Sequence, residues 1–255
     1  MVSPFSPDAC LPAPRIVCAT RAGEILIFDA GRPPTDPRPE TFIRAHSGPA
    51  HALLSGLAGS PLSPHAIVSG GAIDGALRAF DPRLPAARGR RILSIPGVHP
   101  SGGIAMCTAI HTRPHLIATT GGADGSVRFV DVRTKRVLVS ARPEGTISRH
   151  SSHGRRTSVV GAAWQTAYAL LPMHNGSLVC SWGDGRISVH HPDAPDRVHL
   201  HTLDGISNAL RCLSLLPGEG TSPAALVAAG DDGIVCSIPL SAIPSPLALA
   251  DDPLI

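Results

Sequence analysis

The chain of 255 residues is poor in charge: Asp, Glu, Lys and Arg make up 16% of it, and Lys135 is the single lysine among 22 basic residues. Glutamate is scarce as well, occurring only as Glu24, Glu40, Glu144 and Glu219. The net charge of +3 falls well short of what a dedicated nucleic-acid binder carries. Long apolar runs are missing. Stretches such as that from Ala224 to Ala229 are far below the ~18 residues needed to span a bilayer. The first residues hold neither a basic n-region nor an apolar h-region, so a cytoplasmic or nuclear location is expected. Cys10, Cys18, Cys107, Cys180, Cys212 and Cys236 include no CxxC pair, which removes the common zinc pattern. Most of them lie in apolar runs, as small buried hydrophobes in a reducing compartment do. There is no GxSxG elbow, no HExxH and no P-loop. Neither a metal nor a cofactor is expected, and no catalytic residue is assigned.

What the chain does have is punctuation and repetition. Glycine and proline contribute 26 residues each, which argues for short strands joined by turns rather than long helices. Five segments align around Gly23, Gly75, Gly125, Gly185 and Gly233, spaced by about 50 residues. In four of them an aspartate precedes the glycine: Asp74, Asp124, Asp184 and Asp232. Each segment follows an apolar, β-prone run and leads into an alternating one, so each reads as a β-hairpin whose glycine supplies the positive φ of the turn. Further strands fit on both sides: Ala50 to Leu57, Ile104 to His111, Val159 to Trp164 and Ala209 to Leu216 before the hairpins, and Thr41 to Ala45, Arg91 to Ile95, Arg136 to Ala141 and Val198 to Leu203 after them. The expected fold is all-β, a β-propeller of five four-stranded blades whose sheets stabilise one another by stacking.

The run Ser69-Gly70-Gly71-Ala72-Ile73-Asp74-Gly75-Ala76-Leu77-Arg78-Ala79-Phe80-Asp81 resembles the WD40 repeat, and so does Thr120-Gly121-Gly122-Ala123-Asp124-Gly125-Ser126-Val127-Arg128-Phe129-Val130-Asp131. The resemblance covers residues 14–240, with blades at 14–46, 47–96, 97–142, 159–204 and 205–250. It leaves an irregular segment at 1–13, a basic loop at 142–158 and a tail at 241–255. The Trp of the family's Trp-Asp dipeptide is missing; Phe28, Phe80, Val130, His190 and Ile238 stand in its place. The resemblance implies a hydrogen-bonded set of His46, Ser69 and Asp74 in the second unit and of His99, Thr119 and Asp124 in the third. Without the Trp this set is expected to be weakened, with Asp74, Asp124, Asp184 and Asp232 mainly bonding turn amides. Seven ordinary blades do not fit this length, so the ring either closes with five or is incomplete. The expectation leans to the incomplete ring.

On function, the resemblance implies a non-catalytic protein–protein interaction scaffold within a multiprotein assembly. Asp81-Pro82-Arg83 and Asp131-Val132-Arg133 are similar to the family's Trp-Asp-x-Arg signature. In WD40 substrate receptors of cullin-4 ubiquitin ligases that arginine helps engage the adaptor, so Arg83 and Arg133 are candidate partner-binding residues and a ligase receptor is an alternative. A second alternative is a WD40-fold hydrolase similar to the diphthine methylesterases. The stretch 142–158 carries Arg149, Arg155 and Arg156, candidates for meeting an acidic peptide or phosphate. No aromatics interleave with them, which weighs against base stacking. Arg83, Arg88, Arg90 and Arg91 form a second basic cluster. His190, His191, His199 and His201 are weighed as a metal set against a solvated outer strand, and the solvated strand is favoured.

Overall fold

The computed structural model describes residues 15–33, 35–36, 38–55, 59–86, 89–122, 124–141, 166–195, 197–203, 206, 208–218 and 223–243. They form five antiparallel sheets in chain order. The first holds β1 (Arg15–Ala19), β2 (Glu24–Asp29) and β3 (Thr41–Arg44). The second holds β4 (Ala50–Leu54), β5 (Ile67–Gly71), β6 (Leu77–Phe80) and β7 (Arg91–Ile95). The third holds β8 (Ile104–Ala109), β9 (Leu116–Gly121), β10 (Val127–Asp131) and β11 (Arg136–Ala141). The fourth holds β12 (Ala167–Pro172), β13 (Leu178–Trp182), β14 (Arg186–His190) and β15 (His199–Thr202). The fifth holds β16 (Leu210–Pro217), β17 (Pro223–Gly230) and β18 (Val235–Pro239), followed by a 3-10 turn at Leu240–Ala242. No helix among the described residues is long and apolar enough to cross a membrane.

The sheets stack as blades of a β-propeller. Their first strands β4, β8, β12 and β16 pack against one another in succession, and β1 packs against β4. The repeat is visible in detail. Pairing of β4, β8, β12 and β16 with the following strand shifts at the same place each time, at Ala50/Ala52, Ile104/Met106, Ala167/Ala169 and Leu210/Cys212. Each central sheet is covered on both sides because it has two neighbours: β5, β9, β13 and β14 are buried along their whole length. Alternation then decides which neighbour a side chain meets. In β9, Leu116 and Ala118 join Leu178 and Cys180 of the fourth sheet, whereas Ile117 joins Val68 and Ala79 of the second.

Two features differ from expectation, and a third, the open arc, was expected. The end sheets have three strands among the described residues, not four. β18 ends on Pro239, which lacks an N–H to extend the ladder, and the chain turns into the 3-10 segment. The first strand of the fourth sheet is Ala167–Pro172; the run from Val159 to Trp164 lies outside the described residues. Lastly, the fifth sheet does not pack against the first as the other neighbours do, so the described stack is an open arc. Ile16 and Phe42 on the first sheet and Leu216 and Val235 on the fifth are accordingly exposed.

Candidate functional site

The hairpin turns between β5 and β6 and between β9 and β10 each support a buried polar network. In the second sheet Asp74 accepts from the amide of Ala76 at 3.1 Å, as an aspartate opening a turn does. The carboxylate also meets Nδ1 of His46 at 3.1 Å, and Nε2 of that ring meets Ser69 Oγ at 2.8 Å. Arg78 closes the group, with Nη1 3.0 Å from Asp74 Oδ2 and a second bond to the carbonyl of Ala45. The third sheet repeats this. Nδ1 of His99 lies 3.3 Å from Asp124 and Nε2 lies 2.9 Å from Thr119 Oγ1. Arg128 reaches Asp124 at 3.4 Å and bonds the carbonyl of Val98. These networks are fuller than expected: the aspartates serve the histidines and arginines as well as the turn amides. Arg78 and Arg128 were not singled out in the sequence. Their shared offset of four residues from the aspartate is the signal that could have found them.

Two glycines make room for this. A Cβ on Gly71 would sit 1.9 Å from Asp74 Oδ1 and 2.5 Å from His46 Nδ1. On Gly121 it would sit 1.8 Å from Asp124 Oδ1 and 2.7 Å from His99 Nδ1. Neither glycine is in the left-handed region, so their requirement is steric. Gly75 and Gly125, at φ 58° and 61°, are needed for backbone reasons.

Burial pushes the His46 and His99 pKa values down, with the hydrogen bonds to Asp74 and Asp124 acting in the opposite sense. Burial also works against the Asp74 and Asp124 charges. The bonds from Ala76 and His46, and from His99 and Ser126, outweigh it and hold both carboxyls low. Each pair therefore sits as a neutral imidazole donating to a carboxylate near neutral pH.

The fourth and fifth sheets vary the theme. Asp184 accepts from the Arg186 amide at 3.2 Å and from its Nε at 2.5 Å. Trp182 Nε1 donates to Ser188 Oγ at 2.7 Å, and Ser188 Oγ lies 2.7 Å from Nε2 of His190. His190 is 1% exposed, and burial pushes its pKa down to about 3. His191 is buried too, so the solvated outer strand expected for this pair is corrected. The cause is that β14 has a sheet on either side. Its Ser188 and His190 share the side on which Trp182 and Cys180 pack against the third sheet. His199 and His201 are half-buried on β15, and no group of three possible metal ligands occurs among the described residues. In the fifth sheet Asp232 accepts from the backbone and side-chain amides of Asn208, which takes the histidine's place. Its position, directly before β16, was the available signal.

The opposite ends of the strands carry Arg83 and Arg133. Arg83 grips Asp81 through Nε at 3.0 Å and Nη2 at 2.7 Å, and Nη2 also reaches Ser63 at 2.9 Å. Arg133 grips Asp131 at 3.3 and 3.2 Å. The Asp81 and Asp131 side chains are buried, while those of Arg83 and Arg133 are 54% and 56% exposed. The hydrogen bonds from Arg83 hold Asp81 well below the usual carboxylate range. Each guanidinium is thus fixed along one edge and open on the other. On the same end Arg113 bridges the third and fourth sheets by pairing with Asp193. Arg149, Arg155 and Arg156 lie outside the described residues, as does Arg88.

No protein-family model matches the chain, and no curated protein matches it. Solved structures do. A computationally designed protein, Ika8, superposes with a TM-score of 0.60 at 18% identity, over 88% of this chain and 55% of its own. A chain of the mitotic checkpoint complex superposes with a TM-score of 0.61 at 15% identity, over 88% of this chain and 58% of its own. The protein therefore spans little more than half the length of these neighbours, and at such identities the likeness is one of fold. Fold and geometry together establish an arc of β-propeller blades.

Proposed function

We propose that this chain is a WD40-type interaction scaffold that works without catalysis in a multiprotein assembly, in the cytoplasm or the nucleus. The observation that carries the reading is the pair of arginines at the ends of β6 and β10. Each is immobilised by a buried aspartate and presents its outer edge to solvent. A pre-positioned guanidinium loses little freedom when it binds a carboxylate or carbonyl of another protein. The blade stack supplies the rigidity, and the turns supply the chemistry. The structural neighbour from the mitotic checkpoint complex is itself part of a multiprotein assembly, which agrees with this reading. The Asp-x-Arg geometry also favours a second, narrower reading, as a substrate receptor held by the adaptor of a cullin-4 ubiquitin ligase.

The test is affinity purification of tagged protein from cells with quantitative mass spectrometry, comparing wild type with Arg83→Ala plus Arg133→Ala. A scaffold gives stoichiometric partners, and the double variant loses a defined subset. If that subset is the ligase adaptor, the narrower reading holds. Retention of every partner by a folded double variant refutes the role of these arginines. Turnover of a methyl ester by the purified protein would instead favour the hydrolase alternative.

A further inference from the structure

The turns from β6 to β7 and from β10 to β11 belong to neighbouring sheets and lie at the same end of them, and charge of one sign collects there. Arg83, Arg91, Arg133, Lys135 and Arg136 are all exposed on these turns and the strand starts that follow them. Among the described residues the turns contribute two carboxylates, Asp81 and Asp131, which are buried and already gripped by Arg83 and Arg133. The corresponding turns on either side differ. In that from β2 to β3, Asp36 pairs with Arg32 and Arg38, and Glu40 takes Arg15. That from β14 to β15 carries Asp193, which pairs with Arg113. A sixth cation, Arg90, is short of acceptors. Its backbone is left-handed at φ 54°, and its carbonyl accepts from the Asp81 amide at 2.8 Å. Its Nε and Nη1 are closed off from solvent and meet no acceptor among the described residues. Unmatched buried donors are costly, so this guanidinium favours an anion brought from outside. Just beyond Arg136 the surface turns apolar. The β10–β11 pairing slips between Phe129 and Val130, which makes Leu138 the extra residue of a bulge, 52% exposed, next to Val137 at 37%.

We propose that these two turns bind an extended acidic segment of a partner protein, which also lays an aliphatic side chain on Leu138. The inference rests on the scaffold reading and names the chemistry of its partner. Packed sheets stand about 10 Å apart, and three residues of extended chain span about 10 Å. Carboxylates three positions apart on the segment therefore reach both turns at once. Arg83 and Arg133 meet them already held in place, while Arg91, Lys135 and Arg136 add the field that draws the segment in. A protein segment suits this surface better than a nucleic acid does. Leu138 and Val137 offer it an apolar contact, and neither turn holds an aromatic side chain on which a base could stack.

The probe is a labelled synthetic peptide with glutamate at every third position, one leucine, and otherwise glycine and serine, titrated with the full chain by fluorescence anisotropy. Binding is expected at low ionic strength and weakens as salt is added. Arg91→Glu with Lys135→Glu and Arg136→Glu changes exposed side chains and should weaken binding at least about tenfold. Arg21→Glu, an exposed charge at the opposite end of the first sheet, should leave it unchanged. Leu138→Ser should weaken the peptide about threefold or more, and should not affect a peptide with glycine in place of the leucine. A peptide that fails to bind at low ionic strength overturns the proposal, as does binding that the triple substitution leaves intact. Tighter binding of a single-stranded oligonucleotide overturns it too, and makes the patch a nucleic-acid surface. The triple variant in the cell purification separates this inference from the reading it rests on. Partners lost with Arg83→Ala plus Arg133→Ala but kept by the triple variant leave the scaffold standing and overturn the acidic segment.

Discussion

Replacing Gly121 by alanine should damage the third blade far more than the loss of one glycine's freedom. The new methyl would stand 1.8 Å from Asp124 Oδ1 and 2.7 Å from His99 Nδ1, in a region where His99 and Thr119 are fully buried. One of the two partners must move. Moving Asp124 breaks its bonds to His99, Ser126 and Arg128. A buried imidazole left without its acceptor costs about 1–3 kcal/mol, more where a charge is involved, so the whole change should cost about 2–4 kcal/mol. For a chain of this size that lowers Tm by about 5–15 °C. Gly97 provides the control. It lies at φ 61° with nothing within 4 Å of where a Cβ would stand, so Gly97→Ala costs only the left-handed strain, about 1 kcal/mol. The assay is thermal and urea unfolding followed by circular dichroism, with a double-mutant cycle adding Asp124→Ala. In the absence of the carboxylate, Gly121→Ala should be milder by about 1–2 kcal/mol. A Gly121→Ala protein no less stable than Gly97→Ala would refute the steric argument for both Gly71 and Gly121.

Further outcomes follow from the buried polar groups. The folded-state pKa values of His46, His99 and His190 are depressed, so their contribution is complete above the unfolded value near 6.5 and is lost as pH falls below it. His190, at about 3 in the fold, alone should remove about 2–3 kcal/mol by pH 4.5. Urea midpoints at pH 7.5 and 4.5 measure this, and His190→Gln should flatten the difference. Ser188→Ala strands Trp182 Nε1 and leaves His190 without its partner. It should cost about 2–4 kcal/mol, whereas Arg113→Ala, which removes an exposed ion pair, should cost less than about 1 kcal/mol. Burial pushes the Cys107 thiol up to about 12 and Cys180 higher still. Alkylation read by peptide mass spectrometry should therefore label exposed Cys18 and Cys212 in the native protein, and Cys107 and Cys180 only after unfolding.

Local chemistry made the hairpins legible from sequence. An Asp-Gly pair between two β-prone runs specifies a turn without reference to the rest of the chain, and Gly75, Gly125, Gly185 and Gly233 all have positive φ. His46 with Ser69 and Asp74, and His99 with Thr119 and Asp124, were readable because the repeat aligns them. What long-range packing decides was harder to read. His190 and His191 look like a polar patch on an outer strand, and only the stacking of a sheet on either side buries them. Arg78 and Arg128 resemble ordinary exposed strand residues until the carbonyls of Ala45 and Val98 are brought beside them from about 30 residues away. Asn208 carries no family signature at all, yet it holds Asp232. The open arc was an arithmetical expectation, since seven ordinary blades do not fit the length.

A row of sheets that touch only their neighbours has no single core. Cooperativity therefore has to be handed along from one junction to the next. The second to fourth sheets are clasped on both sides, whereas the first and fifth are clasped on one. Amide exchange should consequently be slowest in β9 and β13 and should quicken outward in both directions, so that the protein loosens from its two ends before its middle gives way.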